Sequence, residues 1–293
     1  MKTIGVLARP DLAEAGPALR TLVVWLRQRG ATAFLEERTA ALLDGALVDR
    51  RAGSAREVAE ASDALVVLGG DGTLLAASQA VDNDVPILGV NFGSLGFLTE
   101  ITLPELFPTL EGVLDGSTRW EDRRMLRAVV EREGAEVSRG DVLNDVVITK
   151  GALSRILELD VTVDGLFVSG FRADGLIVSS PTGSTAYNLA AGGPILHPAL
   201  PAMVLTPICP HMLTNRPLVV RDESRVEVRV SPGRQGDVHI TFDGQHGLPL
   251  NGDDTVIVTR SARSIRLVKA PSRDYYEVLR TKLKWGESTA RRG

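Results

Sequence analysis

The sequence predicts two domains: an N-terminal α/β domain with a doubly wound parallel sheet, and a C-terminal β-sandwich-like domain, with an active site between them. The chain has 293 residues, which is more than one usual domain length. Up to residue 118, apolar strand-like runs alternate with helical patterns, whereas beyond it short strand-like runs follow one another between glycine turns. We therefore assign residues 1–118 to the first domain, with 271–293 packing back on it, and residues 119–270 to the second.

The composition limits the classes of partner and compartment. The formal net charge is −4, which argues against a general nucleic-acid-binding protein. The lone Cys209 excludes an intrachain disulfide and fits a reducing compartment. No run approaches the roughly twenty apolar residues of a membrane-spanning helix, and Met1–Val6 lacks the apolar core of a signal peptide. We expect a soluble cytoplasmic protein with neither nucleic acid nor a membrane among its partners.

The N-terminal elements follow from apolar runs and helical spacing. For example, Leu19, Leu22, Val23 and Leu26 recur at helical intervals, and Gly30 ends the pattern. We predict strands at Lys2–Ala8, Ala31–Leu35, Ala64–Leu68 and Val85–Val90, and helices at Ala18–Arg29, Ala55–Ala61, Thr73–Val81 and Pro104–Leu114. In such parallel sheets, ligands bind at the carboxyl ends of the strands.

The pattern of the C-terminal part predicts short strands interrupted by one helix and followed by a helical tail. Asp164-Gly165 is a strong hairpin signal, and the alternation of Val226, Val228 and Val230 indicates one buried face. We predict strands at Leu126–Arg132, Val142–Thr149, Ile156–Val163, Leu166–Phe171, Leu176–Val178, Leu218–Val220, Val226–Val230, Val238–Phe242, Thr255–Thr259 and Ile265–Val268, and helices at Ser184–Ala190 and Tyr275–Trp285. In the last helix, Tyr276, Leu279 and Leu283 share the face expected to pack.

The stretch Gly69–Thr73 is the best candidate for a phosphate-binding turn. It joins the buried strand Ala64–Leu68 to the start of a helix, where glycine lets backbone N–H groups approach a phosphate closely. Asp71 is a poor neighbour for a phosphate unless it binds a metal or takes a proton, which suggests chemistry. The alternative is a tight turn in which Asp71 caps the helix. A second glycine cluster, Asn91–Gly96, follows the neighbouring strand.

Three further polar stretches are candidate ligand contacts. Asn144-Asp145 interrupts an apolar strand pattern and indicates either hydrogen bonding to a polyhydroxylated ligand or a bulge or strand end. Asp174–Ala190 is rich in Ser, Thr and Gly, which suits phosphates or ribose hydroxyls, although Thr182 or Ser184 would also cap a helix. Asp243-Gly244-Gln245 favours a type I′ hairpin turn.

Several common catalytic motifs are absent from the sequence. There is no GxxxxGK[ST] P-loop, no GxGxxG after a strand, no HExxH and no CxxC. The four histidines are dispersed, so a histidine-based metal cluster is not expected.

The ordered set of motifs closely resembles the NAD kinase family. The match consists of Gly69–Thr73, Asn91–Glu100, Asn144-Asp145, Asp174–Ala190, Gly192–Pro198 and Asp243–Gln245. The first motif is shared with diacylglycerol and sphingosine lipid kinases, whereas Ser180–Tyr187 together with Gly192–Pro198 is much more specific. A lipid kinase and a non-catalytic NAD(H)-sensing protein are the alternatives. The stretch Asp174–Ala190 disfavours the first, and the presence of Asp71 disfavours the second.

The resemblance implies transfer of the γ-phosphate of ATP to the 2′-hydroxyl of the adenosine ribose of NAD, with Asp71 as general base. It implies an ATP or phosphate loop at Gly69, Gly70, Gly72 and Thr73. It implies NAD contacts from Asp71, Gly72, Asn144, Asp145, Arg155, Arg172, Asp174, Thr185, Ala186, Tyr187, Asn188, Leu189, Ala190 and Gln245. Because the loop lacks a lysine, Mg²⁺ is expected to be obligatory. The family usually forms homo-oligomers, so a homodimer or homotetramer is expected.

Two departures from the family pattern are visible. Many relatives have Asn-Glu where this chain has Asn144-Asp145, so this carboxylate reaches one methylene less far. Many relatives also have an arginine near the position of Gln79, in the helix after the glycine turn. Its absence removes one expected phosphate contact.

Overall fold

The computed structural model describes residues 3–43, 51–82, 84–151, 156–212, 214–231, 238–271 and 273–285. The chain forms two compact units, the first made of Met1–Asp122 with Ile265–Gly293 and the second of Arg123–Ser264. Within the described residues, none of the helices combines the length and apolarity that crossing a bilayer requires.

The first unit contains the predicted parallel sheet. Its strands are β1 (Thr3–Ala8), β2 (Thr32–Glu36), β3 (Arg51–Gly53), β4 (Ala64–Leu68), β5 (Pro86–Asn91) and β6 (Ile101–Thr102). They pair in parallel in the order β3-β2-β1-β4-β5, and β6 pairs with β5. Every residue of β4 is buried, as a strand covered on both faces requires. The sheet confirms the predicted fold class of this part of the chain.

Five described helices of this unit lie in its N-terminal segment, four of them between its strands. They are α1 (Ala15–Gln28), α2 (Glu37–Ala40), α3 (Ala55–Glu60), α4 (Asp71–Ser78) and α5 (Leu106–Asp115), with a 3₁₀ turn at Leu103–Glu105 before α5. The first helix begins three residues earlier than predicted, because proline is tolerated in a first helical turn and Pro17 does not stop it. Its Leu19, Leu22 and Leu26 are fully buried in the core.

The second unit contains two antiparallel groups of strands. The strands are β7 (Trp120–Arg132), β8 (Ala135–Val142), β9 (Asp145–Lys150), β10 (Leu157–Val163), β11 (Leu166–Ala173), β12 (Gly175–Ser179), β13 (Ala202–Ile208), β14 (Leu218–Arg221), β15 (Val226–Val230), β16 (Val238–Phe242), β17 (His246–Leu250) and β18 (Thr255–Val268). The first residues of β7 and the last residues of β18 belong to the first unit. The first group has the order β14-β13-β12-β9-β16-β17, and the second includes β11-β10-β15-β18, with β7 and β8 paired to each other and β7 to β18. Both groups contribute side chains to one apolar core, as in the predicted sandwich-like domain.

Two predicted turns form as expected. Asp164 and Gly165 both have positive φ, 52° and 78°, and join β10 to β11. Asp243 and Gly244 also have positive φ, 52° and 63°, and Gln245 N donates to Phe242 O at 2.9 Å. Positive φ at both central residues is the requirement of a type I′ turn.

Other predictions were wrong or incomplete. The strands β3, β6, β8, β13 and β17 were not predicted. The first two have only three and two residues, β8 is largely polar and exposed, and the last two contain Pro207 and Pro249. Pro207 is tolerated because β14 pairs only with Ala202–Leu205 of β13. The predicted strands Thr255–Thr259 and Ile265–Val268 are parts of the single strand β18.

The predicted helix Ser184–Ala190 is interrupted. It consists of a 3₁₀ turn at Gly183–Thr185 and a short helix, α6 (Tyr187–Ala190), separated at Ala186, where φ is −95° and ψ is −129°. Tertiary hydrogen bonds account for the interruption, since the Ser184 hydroxyl accepts from Leu196 N at 2.9 Å and donates to Pro181 O at 2.6 Å.

The C-terminal helix α7 (Tyr275–Leu283) belongs to the first unit. It begins at Asp274, whose carboxylate accepts from Glu277 N at 2.8 Å and so caps the first turn. Val278 and Leu279 are its buried residues, whereas Tyr276 is 60% exposed. The packed face therefore includes Leu279, as predicted, but not Tyr276.

Candidate active site

The glycine turn follows β4 directly and begins α4. Gly70 is the N-cap residue in an extended conformation, and Asp71 is the first helical residue. A Cβ on Gly69 would lie 2.4 Å from Thr73 Oγ1 and 2.8 Å from Thr73 Cβ, so only glycine permits this close approach. The conformation of the turn therefore depends on its first glycine, Gly69.

Asp71 does not cap α4, which rules out the alternative interpretation of this residue. Its carboxylate is instead held by the backbone after Gly96. Oδ2 accepts from Phe97 N at 2.8 Å, while Oδ1 accepts from Leu98 N at 3.1 Å and from Thr99 N at 3.0 Å. The Thr99 hydroxyl donates to Oδ1 at 2.8 Å. A half-buried carboxylate with four donors is fixed in one orientation.

A cavity of about 450 Å³ lies in the first unit beside the glycine turn. It is lined by Leu7, Ala8, Arg9, Pro10, Glu36, Arg38, Ala55, Gly70, Gly72, Thr73, Ala76 and Ala77. Three of the four predicted phosphate-loop residues thus line it, whereas Gly69 is buried beneath the turn. Apart from chain neighbours and the backbone of α4, no described heavy atom lies within 4 Å of a Cβ position on Gly70 or Gly72, so the turn is open there.

Two arginines line the same cavity. Arg9 pairs with Asp11 through Nε at 2.8 Å and Nη2 at 2.7 Å. Arg38 lies on α2 and has no ion-pair or hydrogen-bond partner within the described parts of the chain. The cavity therefore offers a positive charge close to a turn that has no lysine.

A second cavity, of about 470 Å³, lies in the second unit. Its lining residues are Asn144, Asp145, Val147, Thr149, Ala186, Tyr187, Thr241, Asp243 and Gly244. Four of them are predicted NAD contacts. Three polar residues at this cavity, Thr149, Thr241 and Asp243, were not predicted as site residues.

Asp243 organises one side of this cavity. Its carboxylate accepts from Leu143 N at 2.8 Å, Asn144 N at 2.7 Å and Asp145 N at 3.1 Å. These bonds cover the residues immediately before and at the start of β9, so the Asn144-Asp145 pair marks a strand end and not a bulge. A Cβ on Gly183 would lie 2.1 Å from Asn144 O, so the Ser/Thr/Gly stretch packs directly on this backbone.

Asp145 is a buried carboxyl group that faces the second cavity. It is 5% exposed, and its carboxyl has no hydrogen-bond partner within the described residues. Burial, with a smaller contribution from the charge of Asp243, raises the pKa of Asp145 to about 7. The group therefore titrates near neutrality.

The titration of Asp145 predicts a pH-dependent stability. Between about pH 4 and pH 7 the folded protein keeps a proton that the unfolded chain has lost, so stability falls as pH rises, by up to about 1.4 kcal/mol per pH unit. Above that window both states are ionised at this position and the slope disappears. Asp145→Asn should remove this contribution, and urea unfolding from pH 4.5 to 8.5 measures it. An unchanged slope in the variant would refute the assignment.

Asn188 was predicted to contact NAD, but its side chain is fully buried and bonded to protein. Nδ2 donates to Ser184 O and Pro194 O, both at 3.0 Å, and Oδ1 accepts from Thr206 Oγ1 at 2.6 Å. Both amide hydrogens are therefore used. The geometry supports a role in holding the segment around Tyr187.

The other predicted NAD residues that the structure describes lie outside the lining of the second cavity. Thr185 Oγ1 donates to Thr182 O at 3.2 Å, Lys150 Nζ lies 3.6 Å from Asp174 Oδ1, and Arg172 Nε lies 3.4 Å from Glu158 Oε1. Gln245 is exposed in its turn, and Leu189 and Ala190 end α6. Arg155 lies outside the described residues.

The chain is a phosphotransferase in whose fold a glycine-rich turn, without a P-loop lysine, lies beside a fixed carboxylate. The ATP-NAD kinase N-terminal domain model matches residues 4–118, and the ATP-NAD kinase C-terminal domain model matches residues 143–270. The chain belongs to the NAD kinase family, which confirms the resemblance found in its motifs.

Curated relatives agree with this membership, and two solved structures share the fold. The NAD kinase of Syntrophotalea carbinolica is 51% identical over 290 residues, covering 98% of this chain and all of that protein. The NAD kinase of Citrifermentans bemidjiense is 50% identical over 288 residues, with 98% and 100% covered. Yeast NADH kinase complexed with NADH has a TM-score of 0.90 at 23% identity, covering 98% of this chain and 89% of that one. An Archaeoglobus fulgidus NAD kinase in complex with ATP gives 0.74 at 23% identity, with 96% and 99% covered.

Proposed function

We propose that this chain transfers the γ-phosphate of ATP to the 2′-hydroxyl of the adenosine ribose of NAD, giving NADP, with Asp71 as general base. Family membership along the whole chain supports the reaction. The observation that supports the base is the Asp71 carboxylate, held by four hydrogen bonds at the start of α4. Phosphoryl transfer needs such positioning more than covalent chemistry.

The second cavity supports the dinucleotide side of the proposal. Asn144 and Asp145 would bind ribose hydroxyls and adenine, and Ala186 and Tyr187 would line the adenine site. Tyr187 is 45% exposed, which leaves its ring accessible to a base. The solved complex of the yeast relative contains NADH, which supports dinucleotide binding in this fold. Gly72, Arg155, Arg172, Asp174, Thr185, Asn188, Leu189, Ala190 and Gln245 belong to the proposal through the family resemblance.

The first cavity supports the ATP side. Gly70, Gly72 and Thr73 would present backbone groups to the phosphates at the start of α4, where the helix dipole favours an anion. Gly69 would act by shaping the turn. The solved complex of the Archaeoglobus fulgidus relative contains ATP.

Arg38 gives a direct test of the ATP side. We expect Arg38→Met to raise the KM for ATP about tenfold, because a charge-assisted contact to phosphate would be lost, and to leave the KM for NAD unchanged. Steady-state kinetics with each substrate varied measures both constants. The control is Arg56→Met, which removes an equal charge from a residue paired with Asp82 outside the cavity lining. Equal KM values for ATP in the two variants would contradict this placement.

Mg²⁺ enters the proposal as an ion that arrives with ATP. In the described parts of the chain, no group of three or more His, Cys, Asp or Glu side chains is arranged to hold a metal ion. Mg²⁺ is usually bound by one or two carboxylates together with substrate phosphates, so an ion held mainly by ATP does not require such a group. Bound there, it would neutralise charge on the β- and γ-phosphates.

The deciding experiment for the overall function is a coupled assay of NADP formation. The purified chain is supplied with NAD or NADH and with ATP, other nucleotides or polyphosphate, with and without Mg²⁺. NADP formation from NAD and ATP supports the proposal. Binding of NAD without turnover would favour a sensing protein, and phosphorylation of diacylglycerol or sphingosine would favour a lipid kinase.

The proposal also includes a cytoplasmic location and assembly into a homodimer or homotetramer. Light scattering of the purified chain measures the mass of the assembly and so tests the oligomeric state.

A further inference from the structure

We infer that Asn91 and Thr99 form a hydrogen-bonded relay that positions Asp71 and leaves Oδ2 as its proton-accepting oxygen. This inference rests on the proposed role of Asp71 as general base. It adds two positioning residues and assigns the two carboxylate oxygens different tasks. The contacts that support it lie within the first unit.

The orientation of the Asn91 amide is fixed by its partners. Oδ1 accepts from Gly93 N at 2.8 Å, and Nδ2 lies 3.0 Å from Thr99 Oγ1. A backbone N–H can only donate, so the amide oxygen must face Gly93. The amide nitrogen must then face Thr99 and donate to its hydroxyl oxygen.

The direction of the next hydrogen bond follows from the first. The Thr99 hydroxyl has one hydrogen, and its oxygen already accepts from Asn91. The hydrogen therefore goes to Asp71 Oδ1, 2.8 Å away. Thr99 is fully buried against β5, where Gly89 lacks a side chain and a Cβ would lie 3.0 Å from Thr99 Cγ2. The hydroxyl thus has a fixed position from which to orient the carboxylate.

The two carboxylate oxygens of Asp71 differ in the number of free hydrogen-bond acceptor sites. Oδ1 accepts from Leu98 N, Thr99 N and Thr99 Oγ1, whereas among the described residues Oδ2 accepts only from Phe97 N. Each carboxylate oxygen has about two acceptor sites, so the three donors saturate Oδ1, whereas Oδ2 retains one site. The proton of a substrate hydroxyl therefore goes to Oδ2.

In the proposed transfer step, ADP is the leaving group and Asp71 Oδ2 accepts the proton. The ribose 2′-oxygen forms a bond to the γ-phosphorus of ATP while the bond from that phosphorus to the β–γ bridging oxygen breaks. The electron pair of the broken bond leaves with ADP, and the 2′-hydroxyl proton moves to Asp71 Oδ2. That proton passes to solvent when NADP and ADP leave. Thr99 and Asn91 exchange no proton in this step, because they act only by holding Oδ1.

Thr99→Val tests the relay because it replaces the hydroxyl with a methyl group of similar size and so removes both hydrogen bonds of that hydroxyl. We expect kcat to fall about tenfold, with the KM values for NAD and ATP within about twofold of the wild-type values. Thr99→Ser should recover most of the lost kcat. Thr109→Val is the control, since the Thr109 hydroxyl is also buried in this unit but has no hydrogen-bond partner among the residues that the structure describes. Its kcat should equal that of the wild type.

Asn91→Asp tests the direction of the relay without removing the Thr99 hydroxyl. A carboxylate at that position can only accept, so it competes with Asp71 for the single hydroxyl hydrogen. We expect a fall in kcat similar to that of Thr99→Val. In an Asp71→Asn background, Thr99→Val should cause no further tenfold loss, whereas a merely structural effect would be multiplicative.

The outcomes separate this inference from the proposed function. If the wild-type chain forms no NADP, the proposed function fails. If the wild type is active and both Thr99→Val and Asn91→Asp keep its kcat, the relay is overturned and the proposed function stands. If Thr99→Val does not fold, as judged by its thermal unfolding, Asn91→Asp decides alone. Multiplicative losses in the Asp71→Asn background would also overturn the relay.

Discussion

We expect Asp71→Asn to lower kcat by roughly 10²–10⁴-fold while the affinity for NAD stays close to that of the wild type. The amide cannot accept a proton as a carboxylate does, so the 2′-hydroxyl loses its base. The measurement pairs steady-state kcat with equilibrium binding of NAD. Asp115→Asn is the control, because Asp115 is an exposed carboxylate at the end of α5 that contacts Ser117 N at 2.8 Å. A kcat near the wild-type value in Asp71→Asn would refute the base assignment.

This variant also has a structural consequence that must be measured separately. An amide oxygen at position 71 can still accept from Leu98 N and Thr99 N, but the amide nitrogen would then face Phe97 N, which is also a donor. One hydrogen bond is lost, and two donors are brought together. We therefore expect a small loss of stability beside a much larger loss of kcat. Thermal unfolding of the variant, followed with and without NAD, separates the two effects.

The sequence predicted the α/β part well because its elements are locally encoded. Fully apolar runs such as Ala64–Leu68 and the helical spacing of Leu19, Leu22 and Leu26 report burial directly. The strand Ala202–Ile208 was missed because Pro207 argues against a strand, and only the short reach of its neighbour β14 makes that proline acceptable. The length of a paired strand cannot be predicted from the sequence of the strand beside it.

In the candidate site too, features that depend on local sequence were predicted, whereas contacts between distant residues were not. The glycine turn and Asp243-Gly244 were found as turns because their residue types meet local backbone requirements. The hydrogen-bond partners of Asp71 and Asp243 could not be predicted from local residue types. Asp71 binds backbone groups 26 to 28 residues away, and Asp243 binds groups 98 to 100 residues away. A carboxylate that holds distant N–H groups has the same local sequence as one in an exposed turn.

Gly96→Ala is expected to have the second large effect, because it removes the space that Asp71 occupies. A Cβ at position 96 would lie 2.0 Å from Asp71 Oδ1, 2.7 Å from Asp71 Cγ and 2.3 Å from Thr99 Oγ1. These distances are far below a van der Waals contact, so the carboxylate or the 96–99 backbone must move. Either movement disturbs the four hydrogen bonds to Asp71. We expect kcat to fall at least about a hundredfold and the free energy of unfolding to fall by about 2 kcal/mol.

Gly93→Ala is the matched control for this substitution. Gly93 belongs to the same glycine cluster, but the nearest atom to its Cβ position is Asn91 Oδ1 at 3.9 Å, an ordinary contact, and its φ is not positive. Its N–H bond to Asn91 is kept by alanine. Urea unfolding and kcat measured on both variants distinguish a general intolerance of this loop from the close approach at Gly96. Wild-type kcat in Gly96→Ala would show that turnover does not depend on the orientation in which Asp71 is held, and equal losses in both variants would place the effect in the loop as a whole.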